Sequence, residues 1–314
     1  LKILKNRTIE SEELKMIKAP KGIYVPVITT FNDDESIDFA SYKKVIDFVI
    51  ENGVHGLLIG GTTGEYHVMS AEERKSLIKA ACEYAAGRVP VMAGVGCFTA
   101  KDTIELANFA AECGAEYGLV LPPYYHHTTD AGIVDFYKEI AANSKVGIVI
   151  YNYPGATNVE MPPEMIYELS QEENIVSVKE SADFGHLCQV LTLTSDVDNF
   201  TVFTGEEHFI LPTFSVGGQG AFGILINLLP KEIVKIYELA MAGDLKAATE
   251  LNSKIRGIYG LMEVEGNPYP GPVKAGMDMI GMKGGKVRKP LTQPTDDLKA
   301  KMKEQLIKLG YSVK

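Results

Sequence analysis

From residue 22 to about residue 229, short runs rich in β-branched residues alternate with longer stretches whose apolar positions recur at helical spacing. Eight runs read as strands: 22–29, 56–59, 89–94, 117–121, 147–152, 175–179, 201–204 and 220–224. Between them, 38–52, 71–86, 100–113, 131–143, 163–170, 184–193 and 207–216 each carry one apolar helical face. Strand runs such as VGIVIYN and YGLVLPP are apolar at nearly every position, as strands covered on both faces must be; a half-exposed antiparallel sheet would alternate. The pattern predicts an α/β fold, a closed (β/α)8 TIM barrel, with an open doubly wound sheet as the competing architecture. The open sheet would carry a dinucleotide fingerprint, yet AGVGCFT at 93–99 has Thr99 where the third glycine belongs. A phosphate-binding loop is excluded because Gly60-Gly61-Thr62-Thr63-Gly64 is followed by Glu65 and not by lysine.

After Pro230 the pattern is helical only, over 231–242, 245–262, 272–280 and, beyond a Gly/Lys-rich loop, 295–309. The chain therefore divides into a short N-terminal helical extension (1–19), a catalytic barrel (20–229) and a C-terminal helical region (230–314). Composition narrows the chemistry. With 314 residues, 46% of them hydrophobic, a full-sized core is available, and a formal net charge of −10 repels nucleic acid and anionic membrane surfaces. Cys82, Cys97, Cys113 and Cys188 form no C-x-x-C pair and read as reduced thiols. No apolar run approaches the roughly 18–20 residues of a membrane span, and residues 1–19 lack the order of a secretory signal, so a cytoplasmic protein acting on small molecules is expected.

In such a barrel the polar residues that end apolar strands face the catalytic mouth. Lys179 ends NIVSVKES, so its amine should emerge from an apolar wall. A strand-end lysine also snorkels to solvent or pairs with its neighbour, here Glu180; the competing role is imine formation, which needs a neutral amine. At an ordinary pKa of about 10.4 roughly one lysine in a few thousand is neutral at pH 7, and burial is what would raise that fraction. A protonated imine then stabilises a carbanion at the adjacent carbon, and a proton carrier must stand beside it. Tyr151, at the end of the preceding strand, is the candidate carrier, although a tyrosine there also caps a barrel core. The loop 60–65 offers backbone N–H groups and the hydroxyls of Thr62 and Thr63, with Gly64 in the same turn, as a carboxylate site. Pro122-Pro123-Tyr124-Tyr125 is stiff and aromatic and serves either the site or a subunit interface. The six histidines gather into no metal-ligand pattern, so neither metal nor cofactor is expected.

At these residues the chain resembles the dihydrodipicolinate synthase / N-acetylneuraminate lyase family of Schiff-base aldolases. GGTTGE (60–65), LPPYY (121–125), YNYP (151–154), VSVKE with Lys179, TGEE (204–207) and GGQGAFG (217–223) follow the family's order and spacing. The resemblance implies that Lys179 forms the imine, that Tyr151 transfers the proton, and that Thr62 and Thr63 hold the pyruvyl carboxylate. It further implies that Tyr125 completes a hydroxyl relay with Thr62 and Tyr151, in many members from a neighbouring subunit, and that Gly205 and Phe222 line the pocket. A homo-oligomer, dimer or tetramer, is implied with it.

One departure bears on the substrate. Family synthases carry an arginine two residues after YNxP that binds the carboxylate of aspartate semialdehyde; here that position is Ala156, which removes a charge-assisted contact. The run Glu206-Glu207-His208 matches the acidic residues of sialic-acid lyases only in part. With Glu207 on that wall and the hydroxyls of Thr157 and Ser181 nearby, the pocket suits a 2-keto-3-deoxy sugar acid or related hydroxy-keto acid. The alternatives are 4-hydroxy-tetrahydrodipicolinate synthesis from pyruvate and aspartate semialdehyde, and a non-catalytic paralogue that only binds a keto acid.

Overall fold

Every one of the eight apolar runs forms a parallel strand, and the strands close in sequence order, β8 pairing with β1. In this computed structural model residues 17–126, 128–262, 264 and 268–314 are described. The order is β1 (Gly22–Pro26), α1 (Phe39–Glu51), β2 (Gly56–Ile59), α2 (Ala71–Ala85), β3 (Val91–Gly94), α3 (Ala100–Cys113), β4 (Tyr117–Val120) and α4 (Asp130–Asn143). It continues with β5 (Gly147–Asn152), the single turn α5 (Pro154–Thr157), α6 (Pro163–Leu169), β6 (Ile175–Glu180), α7 (Phe184–Leu193), β7 (Thr201–Thr204), α8 (Ile210–Ser215) and β8 (Gly220–Phe222). Four more helices follow: α9 (Pro230–Met241), α10 (Leu245–Met262), α11 (Gly271–Met279) and α12 (Asp296–Lys308). The chain is thus a (β/α)8 barrel with a C-terminal helical part. β1 is shorter than the run 22–29 suggests, because beyond Pro26 the chain turns toward the catalytic face, where the Thr29 hydroxyl donates to the Gly64 carbonyl at 2.7 Å.

Local chemistry fixes the helix starts. Ser70 and Glu73 form a reciprocal capping box on α2, while the side chains of Thr99, Thr129, Asp183 and Thr295 each accept from the first turn of α3, α4, α7 and α12. The barrel interior is filled by Tyr24, Leu58, Met92, Tyr117, Leu119, Val149, Tyr151, Val176, Phe203 and Phe222, a packed core and not a pore. Gly220 makes room for it: a Cβ there would stand 2.1 Å from the Phe203 ring. A larger cluster joins the outer strand faces to the helices and takes in Ile255, Ile258, Val273, Met277, Met302 and Leu306, so the helices after β8 share the barrel's core. The helix α9 packs on β1 and α8 and closes the ring. At the opposite end from the site, Ile17 and Ala19 lie in an extended segment held by Asn199, which donates to the Ile17 carbonyl and accepts from the Ala19 N–H, both at 2.8 Å. The rest of the helix expected in residues 1–19 falls outside the described residues. No helix among the described residues is long and apolar enough to cross a membrane.

Candidate active site

The ends of β1, β5, β6 and β8 and the loops after β2 and β7 meet at the carboxyl end of the barrel. Tyr151 on β5 and Lys179 on β6 are direct partners in the parallel ladder. Simple alternation through Val176, Ser177 and Val178 would put Lys179 on the face opposite both valines. The ladder instead slips by one residue, since Ile148 pairs with Ile175 but Val149 with Ser177. Val176 and Lys179 therefore both face the barrel axis, and Val178 packs outward. A local irregularity of the sheet aims the amine inward.

The lysine does not snorkel: it is 6% exposed, and its Nζ lies 3.8 Å from the centre of the Tyr151 ring and 5.4 Å from that of Phe222. Nor does it pair with Glu180. That carboxylate points the other way, accepting from Asn152 Nδ2 at 3.0 Å and the Ala182 N–H at 2.8 Å, with His186 Nδ1 at 3.1 Å. Burial holds the Lys179 amine down at about 8, against the opposing pull of Glu206 and Glu207. At that value roughly one amine in ten is neutral at pH 7, against one in a few thousand for an ordinary lysine. The site thus supplies the nucleophile that imine chemistry needs.

Burial also pushes the Tyr151 phenol well above its usual value, while the Thr62 and Ser181 hydroxyls beside it pull it back. The phenol stays protonated at neutral pH, the form in which it has a proton to donate. Neither the Thr62 nor the Thr63 N–H meets a protein acceptor among the described residues, and both residues line the cavity with Lys179. Two unspent N–H donors beside an amine suit a 2-keto carboxylate. Gly205 and Phe222 line the same cavity. A Cβ at Gly205 would lie 1.9 Å from Ser181 Oγ and 2.8 Å from Lys179 Cε, so only glycine leaves the lysine its rotamer. Ser181 Oγ is buried and makes no well-formed hydrogen bond.

The other expected residues are placed differently. Thr157 is buried but off the cavity, its hydroxyl donating to the Tyr153 and Val159 carbonyls at 2.9 and 3.0 Å, and so is committed to its own turn. Gly64 is turned into the scaffold, with its N–H on the Gly61 carbonyl and its own carbonyl taken by Thr29. Glu207 does reach the cavity, yet its Oε1 accepts the Leu225 N–H at 2.9 Å, which ties it to the turn after β8. Tyr125 is 86% exposed and stands apart from its own chain's cavity, in an aromatic cluster with Phe98 and Tyr124. Besides Pro26, Gly223 and Ile224, three polar residues of the cavity were not among the expected site residues: Tyr153, Glu206 and Tyr269. Tyr153 stacks on Tyr151 with 5.5 Å between ring centres, and its hydroxyl meets that of Tyr269 at 2.6 Å. The spacing of YNYP and TGEE could have flagged the first two. Tyr269 lies far along the chain, in the helical region, and carried no signal.

The family model for the dihydrodipicolinate synthetase family matches residues 19–309. The chain belongs to this dihydrodipicolinate synthase family. It is an enzyme, a lyase of the class I, Schiff-base type. Among family relatives, the 4-hydroxy-tetrahydrodipicolinate synthase of Caldicellulosiruptor bescii is 36% identical over 294 residues, covering 94% of this chain and 98% of that protein. The synthase of Methanocaldococcus jannaschii is 36% identical over 291 residues, covering 92% and 99%. The crystal structure of the family enzyme from Aquifex aeolicus superimposes with a TM-score of 0.88 at 31% identity, covering 94% of this chain and 99% of that one. A prophage-encoded family member from E. coli K12, solved in complex with pyruvate, gives a TM-score of 0.88 at 28% identity over 93% and 99%.

Proposed function

We propose that Lys179 Nζ attacks the keto carbon of pyruvate and, with loss of water, forms an iminium whose methyl carbon gives up a proton to become a nucleophilic enamine. The observation that carries this is the buried amine, held at about 8 against the Tyr151 ring. Thr62 and Thr63 hold the carboxylate through their N–H groups, and Tyr151 moves protons through the Thr62 hydroxyl. The enamine adds to an aldehyde, and hydrolysis of the new imine frees Lys179. The names of relatives 36% identical over more than nine-tenths of both chains favour aspartate semialdehyde as that aldehyde; its own amine then condenses with the released keto group, with loss of water, to close the ring of 4-hydroxy-tetrahydrodipicolinate.

A second substrate class is favoured by one observation. Position 156 is an exposed alanine, and among the described residues the cavity lining holds Glu206, Glu207 and the Tyr153–Tyr269 phenol pair but no arginine. A hydroxylated, uncharged tail suits that wall better than a second carboxylate, which supports cleavage of a 2-keto-3-deoxy sugar acid. Borohydride reduction with pyruvate should add a three-carbon adduct to Lys179, and an unmodified chain would refute the imine. Comparing kcat/KM for pyruvate plus aspartate semialdehyde with that for pyruvate release from hydroxylated 2-keto acids decides between the two partners.

We also infer a homo-oligomer. The cluster of Phe98 (66% exposed), Tyr124 (37%) and Tyr125 (86%) is the apolar surface expected at a subunit contact, and it bears the tyrosine the relay lacks within one chain.

A further inference from the structure

Glu65 ends the carboxylate loop in a left-handed backbone conformation, φ +61°, and is fully buried. That conformation is disfavoured for a residue with a Cβ, and at Glu65 the surrounding contacts hold it in place. Here they come from the far end of the chain. Lys274 Nζ, 1% exposed on α11, donates to Glu65 Oε1 at 2.5 Å and to the Lys286 carbonyl at 2.8 Å. The Arg288 N–H donates to Glu65 Oε2 at 2.9 Å, so both carboxylate oxygens are taken by the C-terminal region. Phe31 seals the pair from water, 4.7 Å from the Lys274 amine and 4.2 Å from the Arg288 guanidinium. On the loop side, the Glu65 N–H donates to the Thr62 carbonyl at 3.0 Å. Rotating the Glu65 backbone would turn the Thr62–Thr63 peptide with it.

We propose that Lys274 is a positioning residue for the reaction: through Glu65 it sets the direction of the Thr62 and Thr63 N–H groups, and so the recognition of the keto acid's carboxylate. This rests on the assignment of the carboxylate to those two residues. Removing one partner strands a buried charge and endangers folding, whereas a neutral pair of similar shape preserves it. The test is therefore the double variant E65Q/K274M, assayed for borohydride-trapped imine with pyruvate and with acetone, which has the ketone but no carboxylate. The variant should keep the wild-type melting temperature within a few degrees and lose about tenfold or more in apparent affinity for pyruvate, with kcat changed less. Its acetone trapping should match the wild type. Pyruvate affinity within about twofold of the wild type, or an equal loss with both ketones, overturns the proposal. A wild type that shows no preference for pyruvate over acetone instead removes the carboxylate assignment beneath it.

Discussion

At the scale of single residues, the imine chemistry proposed for Lys179 depends on withholding water from one amine. Only a neutral amine attacks a carbonyl, and burial has brought the pKa of Lys179 down to about 8. On the acid side log kcat/KM for pyruvate should therefore rise with unit slope as pH increases, levelling near pH 8. Because Glu206 pulls the value upward, Glu206→Gln should move the break to lower pH; a break that stays put would remove Glu206 from the amine's electrostatics. Gly205 is the steric counterpart. Gly205→Ala would drive a methyl into Ser181 Oγ and Lys179 Cε, contacts of 1.9 and 2.8 Å that no real Cβ makes. We expect about a hundredfold loss of imine trapping with a stability cost of about 1–3 kcal/mol, read by denaturant titration. Full trapping by a folded Gly205→Ala would mean that the lysine has room to move.

At the scale of elements, the strands were legible because each is a short, two-sided apolar run, and the helix starts because Ser70, Thr99 and Asp183 are chemically suited to cap. The slip between β5 and β6 was not legible. Period-2 reasoning gives Val176 and Val178 one face, and only pairing with Val149 shows that they diverge. Tyr269 was hidden for a different reason, since nothing local tells which distant loop folds back over a barrel mouth. Thr157 shows the opposite error, a hydroxyl near the site in sequence but spent on its own turn. The β6 end is braced from behind by Glu180 and His186. Burial works to lower the His186 pKa, but Glu180 and the Met161 carbonyl outweigh it and the value is raised. A raised value means that the charged pair's stabilisation is complete below the unfolded pKa of about 6.5 and is lost as pH climbs through the folded one. The denaturation midpoint of the wild type relative to His186→Asn should thus decline between pH 6 and 8. A difference that stays flat over that range would mean that His186 does not titrate there, and the proton linkage to Glu180 would fall.

At the scale of the whole molecule, the proposed relay is not assembled within one chain. Lys179, Tyr151 and Thr62 share a cavity, whereas Tyr125 projects from an exposed aromatic cluster on the same chain. If the relay is completed across a symmetric contact, each site joins one chain's Lys179 to the other chain's Tyr125, and the two functions separate genetically. Lys179→Ala should be inactive, and Tyr125→Phe should lose about tenfold to a hundredfold in kcat, since one hydroxyl of a proton path is removed. Mixing the two variants after dissociation and reassembly should restore activity. In a random mixture half the dimers are hybrid, and one of their two sites has both wild-type residues, so recovery should approach roughly a quarter of wild-type turnover. A mixture no more active than the average of its components would confine the relay to single chains. Tyr125 would then be left as a packing residue, and the phenol of Tyr151 would have to exchange its proton through Thr62 and solvent alone.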